Sequence, residues 1–158
     1  MLGIFGREGL DLATLWSPPQ TGQPGAFAFR MYRNYDGAGH KFGATRVRTV
    51  SADQSKVAAY GAMRAEDGAL TLMLVNKSGA PVTTTVTLAN FPTAGTVQVY
   101  QYGLQHLDAI QRLDDVTVSN GKLDATLPLN TITLLIALPG AVAPPPGQRV
   151  YLPTVVAE

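Results

Sequence analysis

The chain has 158 residues, no cysteine, 46% hydrophobic residues and a formal net charge of +1. This excludes a disordered chain, a disulfide-stapled scaffold and a thiolate metal site, and it leaves no electrostatic case for nucleic acid or a membrane surface as partner. No stretch reaches the roughly 18 apolar residues of a membrane span, and the length suits one domain with a sizeable core.

The first residues lack the basic, apolar and small-residue order of a secretory signal, so any export signal is expected outside this chain. Residues 10–16, "LDLATLW", read as a short, mostly buried strand ending on the only tryptophan, Trp16. "SPPQTGQPG" is loop material, because its prolines cannot donate backbone hydrogen bonds. In "AFAFRMYRNYDG", Phe27, Ala28, Met31, Tyr32 and Tyr35 share one arc of a helix, with Arg30, Arg33 and Asn34 opposite. The pattern predicts a helix that stops at Gly37.

From residue 42 the period becomes two. "TRVRTVSA", "KVAAYGAMRA", "ALTLMLVNK", "VTTTVTLA", "TVQVYQY", "VTVS", "KLDATLP" and "TITLLIAL" read as strands, separated by turn signals such as "EDG" and "NKSGAP". "SNG" at 119–121 predicts a hairpin. Residues 103–115, "GLQHLDAIQRLDD", break the alternation and read as holding a helical turn. The sum is a mainly β chain, an antiparallel β-sandwich of about eight strands with one N-terminal helix. At the end, "PGAVAPPPGQ" reads as a linker and "RVYLPTVV" as a β-prone stretch that either docks as an edge strand or stays free.

Paired carboxylates for acid–base hydrolysis are hard to find. The glutamates are Glu8, Glu66 and Glu158; Glu66 sits with Asp67 in a turn, and Glu158 is the last residue. Asp114 and Asp115 precede a strand, and Asp11 lies inside the first one. No spacing brings two of these together, so no catalytic residue is assigned, and Glu8, Asp11 and Glu66 are the carboxylates left as candidates. His40 and His106 do not have metal-ligand spacing, and no metal or cofactor is expected. His40 lies in "DGAGHKFG", which lacks the strand–helix context and the Lys-Ser/Thr ending of a phosphate loop. No serine sits in a G-x-S-x-G elbow. Exposed aromatic rings can stack on sugars, and Trp16, Tyr32, Tyr35, Tyr60, Tyr100, Tyr102 and Tyr151 are the candidates, each also suited to a core. Tyr100 and Tyr102 are two apart and share a strand face, a small platform if that face meets solvent.

Together, "LGIFGREGLDLATLW", "PGAFAFRMYRNYDGAGHKFG" and "LMLVNKSG" resemble the C-terminal part of glycoside hydrolase family 44, from about residue 2 to about residue 138. "FRMYRNYDG" followed by "KFG" is the most specific segment. Members of that family are endo-β-1,4-glucanases and xyloglucanases built from a (β/α)8 barrel and a β-sandwich. The resemblance implies that residues 1–41 are the last barrel strand and helix, that 42–138 are the sandwich, and that 139–158 are a proline-rich linker and tail beyond the match. It implies an extracellular parent and a Trp16 at the mouth of the barrel, where the family holds glucose units. The family's two catalytic glutamates lie on earlier barrel strands that nothing here matches. The implied partners are a β-1,4-glucan (cellulose or xyloglucan) and the catalytic barrel, with Trp16, Tyr100 and Tyr102 as the sugar-binding candidates. The family sandwich also borrows chain from the enzyme's N-terminus. An isolated segment is therefore expected to carry an unpaired sheet edge, open to homodimerisation unless residues 2–16 or 150–156 fill it.

Three readings stay open: a non-catalytic sandwich that supports a barrel or holds glucan, a truncated hydrolase using Glu8, Asp11 or Glu66, and a structural or partner-binding β-domain. The first is preferred.

Overall fold

A computed structural model describes residues 1–140 and 154–157. Residues 141–153, including Tyr151 and most of the proline-rich linker, and Glu158 lie outside the described residues.

Among the described residues there are two helices, α1 (Leu2–Glu8) and α2 (Pro24–Arg33), and two sheets. The larger sheet runs in the order β1 (Thr45–Val47), β3 (Val57–Met63), β4 (Leu70–Asn76), β9 (Thr131–Pro139), β6 (Thr93–Gly103), β7 (His106–Thr117). The smaller runs β2 (Thr49–Ser51), β10 (Thr154–Ala157), β5 (Val82–Ala89), β8 (Lys122–Leu127). All pairings are antiparallel except β10 with β2. The expected β-sandwich is present.

The two sheets differ in how their strands are patterned, and burial explains why. β8, "KLDATL", alternates exposed and buried along its length, as a strand with one wet face must. β4 and β9 are buried at nearly every position. On one face, Leu70, Leu72, Leu74 and Leu135 meet Val86, Leu88, Leu123 and Leu127 of the smaller sheet. On the other face, Met73, Leu134 and Ile136 meet Phe27, Met31 and Tyr35 of α2 and the residues just after it. The architecture is thus three layers: helix, six-stranded sheet, four-stranded sheet.

α2 starts where Pro24 can sit without losing a bond, since the first N–H groups of a helix have no partner within it. Its apolar arc is the one read from the sequence. Several other expectations need correction. Residues 10–16 form no strand; they are irregular and exposed, because a strand needs a hydrogen-bonded neighbour and none pairs with them here. A second helix, α1, precedes them. "TRVRTVSA" is two strands, with the chain passing from one sheet to the other at Arg48. Residues 103–115 hold no helical turn: most of them form β7, an edge strand tied to β6 through two irregularities in register. With much of its side-chain surface in water, β7 has little cause to alternate. The "SNG" turn does form, with Asn120 at φ 53° and Gly121 at φ 71° and two bonds between Ser119 and Lys122. It joins β7 and β8, however, which belong to different sheets. Of the C-terminal stretch, Thr154–Ala157 are described, and they form an inner strand and not an edge strand. β10 lies inside the smaller sheet, between β2 and β5, so part of the 150–156 segment is built into a sheet.

One buried polar residue ties the layers at their end. Asn76, almost fully buried, points its amide nitrogen at the carbonyls of Ala80 (2.9 Å), Leu127 (3.0 Å) and Pro128 (2.9 Å). Its oxygen accepts from the Ser78 N–H at 2.9 Å and the Ser78 hydroxyl at 2.7 Å. The turn after β4 is thereby pinned to the turn between β8 and β9. Asn76→Ala strands buried carbonyls and is expected to lower unfolding stability by about 2–3 kcal/mol, read as a fall in urea midpoint at constant slope.

Candidate functional site

The segment after α2 carries the most specific sequence pattern, and its residues hold its own loop together. The Asn34 side chain accepts from Gly39 N–H at 2.8 Å, and Asp36 accepts from Ala38 N–H at 2.9 Å. Gly37 and Gly39 take φ of 78° and 94°, where a side chain would be strained. His40 pairs with Asp36 through Nδ1. Burial pushes the Asp36 carboxyl up, but the bonds from His40 and Ala38 outweigh it and hold it below the usual range. His40 is therefore engaged in loop structure. Gly43 closes the loop, since a Cβ there would sit 2.4 Å from the Met63 carbonyl carbon.

Beneath this loop is a buried cation that the sequence reading passed over. Arg64, at the end of β3, donates to Asp67 at 2.9 and 2.6 Å in a fork, to the Tyr35 hydroxyl at 2.6 Å and to the Lys41 carbonyl at 3.3 Å. The Asp67 bonds hold its guanidinium firmly protonated. Arg64 in turn holds the Asp67 carboxyl below its usual range. Burial pushes the Tyr35 hydroxyl up despite Arg64. The visible signal was one charge within an otherwise apolar strand, "AYGAMRA".

Tyr100 and Tyr102 do share a face, but it is the face that α2 covers. Tyr102 is buried, stacks on Phe27 at 4.7 Å and donates to the Leu107 carbonyl at 3.1 Å. Tyr100 is half-buried, with the Tyr35 ring at 4.7 Å and the Arg112 guanidinium over its own ring at 5.2 Å. The pair forms no flat solvent-facing platform. Tyr100 instead lines an open groove of about 410 Å³ between α2 and β7, together with Phe27, Arg30, Asn34, Asp108 and Arg112. Tyr32 and Tyr60 face a second space of about 230 Å³ under α1, where Gly3 lies against the Tyr60 ring.

At the N-terminal end the picture reverses. Trp16 is fully exposed, and Leu10, Leu12, Leu15 and Phe29 are exposed with it. Leu15 and Phe29 share a shallow trough with Pro18 and Pro19. Glu8 pairs with its neighbour Arg7 at 2.8 Å, while Asp11 and Glu66 are exposed in irregular chain and in the β3–β4 turn. Asp36, Asp53 and Asp67 all have carboxyls held low, the reverse of what a general acid needs.

No family model matches the chain. A bifunctional glucanase-xylanase from a metagenome library, CelM2, superposes on 88% of this chain with a TM-score of 0.82 and 39% identity. A family 44 endoglucanase from Clostridium acetobutylium covers 87% with a TM-score of 0.76 and 25% identity. The chain is related to glycoside hydrolase family 44. Endoglucanase A of Paenibacillus lautus is 27% identical over 129 residues, 80% of this chain. The chain spans 18% of that relative and 27% of each of the two solved family 44-like structures. Within this chain, α2 and the sandwich form one packed unit.

Asp67 gives that unit a pH dependence. Its folded carboxyl titrates below the unfolded value near 3.9, so the Arg64 pair contributes fully above about pH 4 and is lost as pH falls through the depressed value. Asp67→Asn is expected to flatten the acid limb of a Tm-versus-pH curve. Because Asp67 is partly exposed, the expected cost at neutral pH is about 2 kcal/mol, below that of a fully buried pair.

Proposed function

We propose that the chain is the non-catalytic, C-terminal β-sandwich portion of a cellulase-like glycoside hydrolase, and that it supports the catalytic barrel. The observation that carries this reading is the exposed strip of Leu10, Leu12, Leu15, Trp16 and Phe29. An apolar strip of this kind is an unsatisfied contact surface. It lies on residues 10–16 and on α2, the two elements that the resemblance assigns to the end of the barrel. The remaining barrel would bury the strip and supply the sheet partner that residues 10–16 lack. Trp16 would then stand near the barrel mouth, as a stacking surface for a β-1,4-glucan such as cellulose or xyloglucan. The parent would act outside the cell on such polymers. The low-held carboxyls and the solvated positions of Glu8, Asp11 and Glu66 favour this over hydrolysis by the segment itself.

A chimaera of CelM2 with its matching region replaced by this chain tests the support role. It is expected to hydrolyse glucan, and Leu12→Asp with Leu15→Asp should remove that activity by disrupting the seat. An inactive parent chimaera would sink the reading. The isolated chain is expected to release no reducing sugar from carboxymethylcellulose or xyloglucan. Release that disappears in Glu8→Gln or Glu66→Gln would instead establish the truncated-hydrolase reading.

A further inference from the structure

We propose that the groove between α2 and β7 is a second glucan-binding site, separate from Trp16, that holds a neutral β-linked glucan chain by hydrogen bonds from its walls. The proposal rests on the family reading for its ligand class and on the groove itself for the rest.

The groove has the volume of a small-ligand site, about 410 Å³, and is open to solvent along one side. Its aromatic walls are already capped by cations. Arg30 lies over Phe27 at 4.6 Å, and Arg112 lies over Tyr100 at 5.2 Å. Stacking on a ring holds a guanidinium in one plane, and its N–H edge is then a preorganised donor. Sugar recognition here would therefore run through donors at the wall and not through a bare aromatic face.

The remaining polar groups complete the set. Asp108 is exposed and makes no side-chain hydrogen bond among the described residues, so its oxygens are available acceptors there. Asn34 spends its oxygen on Gly39 and keeps its amide hydrogens. Arg30 has no carboxylate partner among the described residues. Sugar hydroxyls both donate and accept, and a mixed array of donors with an unused carboxylate suits them. The charge balance favours a neutral chain over a uronate or phosphate: Arg30 and Arg112 are offset by Asp36 and Asp108 along the same groove. Asn34 and Asp36 also shape the loop after α2, and Arg112 also pairs with Asp115, so Arg30 and Asp108 are the wall groups most available to a ligand.

Affinity electrophoresis of the intact chain in gels containing xyloglucan or hydroxyethylcellulose tests the site. Retardation is expected in the neutral polymers, unaffected by high salt, because the ligand carries no charge. Arg30→Gln and Asp108→Ala should each weaken it by about tenfold, the loss of a charge-assisted hydrogen bond, while Lys122→Gln on the opposite sheet should not. Far-UV circular dichroism confirms that the variants fold, the expected result with Asp108 exposed and Arg30 only half-buried. Absence of retardation, retardation that both groove variants leave intact, or retardation abolished by salt would each overturn the site. An active chimaera with an unretarded chain removes this inference alone. A retarded chain with an inactive chimaera removes the support role alone.

Discussion

A sheet buried on both faces cannot stand by itself, and the larger sheet of this protein is such a sheet. Met73, Leu134 and Ile136 point away from the inter-sheet core and would be in water without α2. Each fully buried side chain of this size contributes about 1.5–3 kcal/mol relative to exposure, so leaving that face bare would remove much of a domain's net stability. The helix is therefore an integral layer of the sandwich. Phe27 and Met31 anchor α2 into the sheets, and its opposite face carries Phe29 outward.

Polar contacts then fix how the layers sit. Hydrophobic burial sets that α2 covers the sheet but does not by itself set its angle or register. Arg64 does so at one end, linking the β3–β4 turn through Asp67 to Tyr35 after α2 and to Lys41 in the following loop. Asn76 does so at the other end of β4, linking two turns. Both residues sit at ends of strands, where the ladder hydrogen bonds run out and buried carbonyls would otherwise lack partners. Arg64 fastens "DGAGHKFG" at the Lys41 carbonyl, while the positive φ of Gly37 and Gly39 and the tight approach at Gly43 account for its glycines.

The sequence made the core legible where one physical demand acted at a time. The alternation of β5 and β8 and the arc of α2 reflect a single buried face, and they were read correctly. β4 and β9 were found as strands from composition, but their unbroken apolar runs also stated that both faces were covered, which ties α2 to the sheet. Legibility failed where the demand came from elsewhere in the chain. β7 is held by backbone bonds to β6, which impose no side-chain pattern. "LDLATLW" has the composition of a strand but no neighbour to pair with. Tyr100 and Tyr102 were correctly placed on one face, yet only the packing of α2 decides that the face is covered. Arg30 and Asp108 belong to elements far apart in sequence, so no spacing could have joined them.

The two ends of the chain differ in a way that narrows how the protein can associate. An open sheet edge attracts any strand, since unpaired N–H and C=O groups carry little side-chain specificity. β10 fills the place between β2 and β5, so the edges of the smaller sheet are β2 and β8. In the larger sheet, β1 is only three residues long, and β7 carries Asp108, Arg112, Asp114 and Asp115, charges that oppose pairing with another copy. The strip from Leu10 to Trp16 with Phe29 is a different kind of surface, exposed apolar side chains. Side-chain surfaces select by shape, and backbone edges do not. An association through this strip therefore requires a complementary apolar surface, and a barrel lacking its own last strand and helix is a partner of that description.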